Sequence, residues 1–141
     1  MKSIPLMDRT GSTKAWADQR SGWISDLTGK FFALVAFDGV FDRATGAQIG
    51  WWRGTYISDQ HGHVVLFRPN ARIQNLSMPQ PKRIPRPPTL QLPSGHPTLR
   101  WLLMPPLTAR GWADFGAFLG ALGHSQTGAK LRDFRERIGR A

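Results

Sequence analysis

The chain has 141 residues, enough for one modest domain or a small domain with an appendage. It carries no cysteine, which rules out disulfides, Cys-ligated zinc and a thiol nucleophile. Nineteen Lys/Arg against nine Asp/Glu leave a net charge of +10, a balance that attracts polyanions with little specificity.

The charge is uneven. Residues 1–70 hold eight Lys/Arg and six Asp, whereas residues 71–141 hold eleven Lys/Arg against Asp114, Asp133 and Glu136. Met1–Asp8 has no apolar run of signal-peptide length. No stretch nears the ~20 apolar residues of a membrane span. The expectation is a cytoplasmic protein of bacterial type with no membrane partner.

The first half repeats one turn four times: Asp8-Arg9-Thr10-Gly11, Asp26-Leu27-Thr28-Gly29, Asp42-Arg43-Ala44-Thr45-Gly46 and Asp59-Gln60-His61-Gly62. The steps between glycines are 18, 17 and 16 residues, too short for a helical repeat and suited to one β-hairpin each. The repeats run over 4–21, 22–38, 39–53 and 54–70. Entry strands are expected at Ile4–Met7, Trp23–Ser25, Val40–Phe41 and Thr55–Ser58. Exit strands are expected at Ser12–Trp16, Lys30–Phe37, Ala47–Trp52 and His63–Phe67. Asp38-Gly39 reads as a two-residue turn in which Gly takes positive φ. The continuous apolar runs Phe31–Val35 and Val64–Phe67 predict strands buried on both faces, or on one face against the tail.

Residues 71–97 form a basic, proline-rich spacer that contains no acid. Its densest part, 79–97, favours stiff polyproline II and is expected to pack along the hairpins. Residues 98–141 follow as a third segment. Leu99–Met104 reads as a strand or apolar strap, stopped by Pro105-Pro106. Thr108 is a candidate cap for a helix whose stripe is Trp112, Phe115, Leu119 and Leu122. Gly116 and Gly120 weaken that helix by about 1 kcal/mol each, and Gly123 ends it. A second helix from Thr127 puts Leu131, Phe134 and Ile138 on one face. The fold class is therefore mainly β: four hairpins, a proline-rich spacer and a small helical tail.

Residues Gly39 to Phe67, with their recurring aromatic, Asp, x, x, Gly and the pair Gly50-Trp51, resemble the closing half of the four-fold β-flower domain. The proline-rich stretch that follows fits the same pattern. The resemblance covers roughly residues 4–97 and implies four hairpins about a pseudo-four-fold axis, with no activity attached. The first repeat departs most, at Pro5 and Lys14. A weaker likeness is to the PRC-barrel, which implies six strands and an adaptor role.

Four recurring aspartates have two readings. They ring an axis and hold a cation, for which Ca²⁺ needs six to eight oxygens, or each accepts hydrogen bonds from its own turn. Hairpin geometry alone explains the second. His61 and His63 share a strand face, but two imidazoles fall short of a structural zinc. No metal or cofactor is assigned. There is no Gly-x-Ser-x-Gly elbow and no phosphate loop.

Six tryptophans are many for this length. Most suit the core, while one of Trp51 and Trp52 faces outward. The pair Trp52-Arg53 suits stacking on a base or a peptide side chain. Lys82, Arg83 and Arg86 are the other candidate contact residues, for a protein that reads proline-rich segments or for nucleic acid. The sequence thus predicts a non-catalytic binding or scaffold module, contacting a protein partner or itself. Weak, sequence-tolerant nucleic-acid binding through 72–100 and 130–140 is the alternative. An unrecognised hydrolase or toxin is the third.

Overall fold

The computed structural model describes residues 3–95, 97–100 and 108–120. Eight antiparallel strands close into one barrel in chain order: β1 Ser3–Met7, β2 Thr13–Asp18, β3 Trp23–Ser25, β4 Phe31–Ala36, β5 Gly39–Asp42, β6 Gln48–Trp52, β7 Tyr56–Asp59 and β8 Val64–Phe67. Eight strands exclude the six-stranded barrel that the PRC likeness implies. Among the described residues one short helix, α1, spans Phe115–Gly120.

The four hairpins correspond residue for residue. Leu6 lies opposite Ala15, Ile24 opposite Ala33, Val40 opposite Gly50 and Ile57 opposite Leu66. Each first member stands two residues before the turn Asp, and each second member four after the turn Gly. The first members are all buried aliphatics, and three of the second are Ala or Gly. Large thus faces small across three of the four pairs, Ile57 and Leu66 being the exception, which lets a narrow barrel fill without strain. Gly50 has a further reason. A Cβ there would lie 2.0 Å from the Ser58 carbonyl oxygen.

Each hairpin also breaks register once, at the same place. The ladder skips Lys14, Phe32, Ile49 and Val65, each three residues after its turn Gly. A bulge reverses which face the following residues present. Phe31 and Val64 therefore join clusters outside the barrel, while Phe32, Ile49 and Val65 join the interior. Lys14 no longer disrupts the first repeat, because it is the bulged, exposed residue. Pro5 sits opposite Trp16 in β1, and β1 meets β8 only at Met7–Phe67, so its missing N–H costs no ladder bond on that side.

The turn after β4 corrects the sequence reading by one residue. Phe37 and Asp38 hold positive φ, and Ala36 pairs with Gly39 across them. Gly39 has ordinary φ. Its lack of a side chain matters because a Cβ would approach Phe41 to 2.8 Å.

Residues 71–95, 97–100 and 108–113 form a belt outside the barrel. It visits the four turn glycines in order. The Gln80 carbonyl oxygen abuts Gly11, Pro88 and the Thr89 carbonyl abut Gly29, and the Thr98 carbonyl abuts Gly46. The Lys82 amide donates to the Gly11 carbonyl (2.9 Å), Arg100 to Gly46 (2.8 Å) and Arg110 to Gly62 (2.9 Å). Beneath the belt, Met7, Val64 and Phe67 pack with Ala71 and Ile73, and Trp23, Phe31 and Leu34 pack with Leu90 and Leu99.

The tail differs from its predicted stripe. Asp114, not Thr108, caps α1, its carboxylate accepting the Ala117 amide at 2.9 Å. Trp112 precedes the helix, bridges to Val64 and stacks edge-on against Phe67 outside the barrel. Phe115 instead enters the barrel core, 6.0 Å from Phe32 between ring centroids. The rest of the strap, Leu122, Gly123 and the expected second helix lie outside the described residues.

Gly46 and Gly54 separate belt contact from backbone strain. Both hold positive φ, but a Cβ at Gly46 lies 2.1 Å from the Thr98 oxygen whereas one at Gly54 meets nothing within 4 Å. Gly54→Ala is expected to cost about 1–2 kcal/mol, the left-handed penalty alone. Gly46→Ala is expected to cost about 1–3 kcal/mol more, from the displaced belt. Urea unfolding midpoints of the two variants check this.

Candidate binding site

The four Asp-Gly turns share one end of the barrel, and α1 closes that end. Phe115 joins the interior cluster that holds Ile24, Ala33 and Val40, and Phe118 and Leu119 pack against the same cluster. Arg9 of the first turn reaches Asp114 at 3.4 Å. This pair is exposed and adds little stability.

The turn aspartates do not pool their oxygens. Asp8 Oδ1 accepts from the Thr10 amide (3.0 Å) and hydroxyl (2.6 Å), and Asp26 Oδ1 does the same with Thr28 (2.9 and 2.6 Å). Asp42 accepts from the Ala44 amide and the Thr45 hydroxyl. Asp59 Oδ1 accepts the His61 and His63 amides, both at 2.9 Å. Each carboxylate is thus engaged by its own turn, as a hairpin requires. Among the described residues no three His, Asp or Glu side chains cluster so as to hold a metal.

The opposite end is different. Because of the bulges, the residues six after each turn Gly point inward there: Ala17, Val35, Trp52 and Arg68. These four equivalent positions, together with Ile4, Asp18, Gln19 and Gly22, line one cavity of about 170 Å³. Symmetry supplies the ring, and the sequence fills it with four unlike side chains. Trp52 lies half-buried against the barrel core. Arg68 is half-buried and forms no ion pair among the described residues.

Asp18 is 1% exposed. Its Oδ2 accepts from the Ser21 amide and hydroxyl, but its Oδ1 has no donor among the described residues. An unmatched buried acceptor carries a desolvation cost, and with Gln19 and Arg68 it makes one part of the wall polar beside the apolar Ile4, Ala17, Val35 and Trp52. Arg20 and Arg53 stand exposed in the connections beside it. So does Phe37, 82% exposed on a turn where a non-glycine residue holds φ of 50°.

The sequence-chosen residues therefore separate into two groups. Trp52 and Arg53 belong to the open mouth, where the Trp52 amide also donates to Asp38 (2.7 Å). Trp51 is buried. Lys82, Arg83 and Arg86 are exposed on the belt near the turn end. Sequence reasoning missed Arg68, Asp18 and Phe37. The first was legible in principle as the fourth member of the series 17, 35, 52 and 68.

A family model described as a 4-fold beta flower protein matches residues 4–119. The chain belongs to the four-fold β-flower family. The match continues past the hairpins through the belt and into α1, beyond the 4–97 that the hairpin pattern suggested. Belt and helix are thus parts of the β-flower unit. No curated protein and no solved structure matches the chain. No helix of the described residues is long and apolar enough to cross a membrane.

Asp26→Ala removes three acceptor contacts from one turn and is expected to cost about 1–2 kcal/mol. Millimolar calcium is expected to leave the melting temperature of the unaltered protein unchanged, because each turn carboxylate is engaged by its own turn and no metal-holding cluster exists among the described residues. Differential scanning calorimetry with and without calcium checks both.

Proposed function

We propose that this β-flower is a non-catalytic binding module whose working site is the open mouth of the barrel. The supporting observation is the asymmetry of the two ends. At the turn end Phe115 occupies the barrel interior and clefts of about 340 and 360 Å³ remain beside α1, whereas the other end keeps a cavity among the barrel's own inward residues, walled by Trp52, Arg68, Val35 and Ile4. A cavity of about 170 Å³ suits one apolar side chain of a partner protein. Trp52 offers it a rigid aromatic face, with Arg53 and Arg68 positioned to meet polar or acidic groups around it. Phe37 extends the apolar contact at the rim.

The reading is tested by capture of partners from a native lysate treated with nuclease. Trp52→Ala combined with Arg68→Ala is expected to lose a set of the proteins that the unaltered chain retains, while remaining folded by circular dichroism. Lys82→Ala with Arg86→Ala is expected to retain them. Equal capture by the mouth variant would refute the mouth as the site.

A further inference from the structure

A second surface on the belt carries a different recognition chemistry. Residues 80–89 bridge two turns. At one end Gln80 abuts Gly11 and the Lys82 amide is tied to the Gly11 carbonyl; at the other Pro88 and Thr89 rest on Gly29. Between these anchors, Arg83, Ile84, Pro85, Arg86 and Pro87 are all exposed, and none of them hydrogen-bonds to another described residue. Ile84 is 43% exposed, one of few large apolar side chains left in water.

The backbone of this bridge is fixed by chemistry. Pro81, Pro85, Pro87 and Pro88 hold φ near −65°. The residues before them, Gln80, Ile84, Arg86 and Pro87, are pushed to extended conformations. Polyproline II is the conformer that satisfies both. With three residues per turn, Arg83 and Arg86 share one edge, Ile84 and Pro87 the next, and Lys82, Pro85 and Pro88 the third. The barrel contacts at 82 and 88 run through the Lys82 amide and the Pro88 ring, and the side chains of Lys82–Pro87 stay exposed.

We infer that Lys82–Pro88 is a displayed polyproline ligand for a partner domain whose groove is lined with aromatic rings and flanked by carboxylates. The ridge Ile84-Pro85 with Pro87 supplies the apolar contacts such grooves take. Lys82, Arg83 and Arg86 supply cations for the flanking acids, and no ion pair among the described residues occupies them. Tethering at both ends removes much of the ordering entropy that a free proline-rich tail loses on binding. Nucleic acid is the less suited occupant. A proline-locked segment offers few amide donors and no helix to enter a groove, which leaves phosphate attraction alone.

The test titrates the full chain into a panel of purified SH3 and WW domains, read by chemical shifts of the labelled domain. The same chain is titrated against a labelled duplex and a labelled single strand. At least one domain is expected to bind through its aromatic groove at micromolar concentration. Pro85→Ala, or Arg83→Glu with Arg86→Glu, is expected to weaken binding about tenfold or more with no change in melting temperature, because these side chains are exposed. Trp52→Ala is expected to leave this binding intact, which separates the ridge from the mouth. Absence of binding to every domain, binding unaffected by Pro85→Ala, or binding to the oligonucleotides alone would overturn the proposal.

Discussion

The structure depends on the missing side chain at four turn glycines. Gly11, Gly29, Gly46 and Gly62 all hold φ between 75° and 92°, the conformation that closes each hairpin without a Cβ clash. The same bare Cα lets the belt backbone come close. At Gly11 and Gly46 the ideal Cβ position lies 2.1 Å from a belt carbonyl oxygen. One residue type therefore closes the hairpin and docks the chain that returns around it. The belt in turn supplies amides to carbonyls at three of these turns, groups that would otherwise need water.

Docking of the belt explains why the strands are apolar on both faces. A barrel in water would alternate apolar and polar residues. Here the interior rows hold Leu6, Ile24, Val40 and Ile57, while Trp16, Leu34, Trp51 and Phe67 form an equivalent buried row five residues after each turn Gly. The outer face is a second core that needs a cover. The seam between β1 and β8, joined in register only at Met7–Phe67, lies where Ala71 and Ile73 pack. Residues 71–95 and 97–100 are poor in regular structure yet are integral to the fold, which accords with a family match that runs to residue 119.

The four hairpins and their aspartates were readable because turn chemistry is local: an Asp that accepts its own amides and a Gly at positive φ leave a fixed mark. The doubly buried strands were also readable, from the run Phe31–Val35. The bulges were not, because Lys14, Phe32, Ile49 and Val65 share no residue type and the cause is geometric closure of the barrel. Without them the inward series 17, 35, 52 and 68 cannot be separated from the outward one, so Arg68 went unnoticed beside Trp52. The Phe37-Asp38 turn was misplaced because Asp-Gly is the commoner hairpin pair, whereas here Gly39 is needed for the approach of Phe41. The helix stripe failed because Trp112 and Phe115, three residues apart, pack into different cores.

Pseudo-symmetry repeats the four hairpins about one axis and leaves two ends to cover, and the chain treats them differently: α1 packs across one, and four unlike side chains ring the other. That asymmetry holds only if belt and helix stay docked as part of the cooperative unit. Native-state hydrogen exchange tests this most directly, at the amides of Lys82, Arg100 and Arg110. The account predicts that these three exchange as slowly as the ladder amides of β3 and β4, through global unfolding. Exchange as fast as that of the exposed Arg83 amide would mean that the belt detaches locally, and would contradict it.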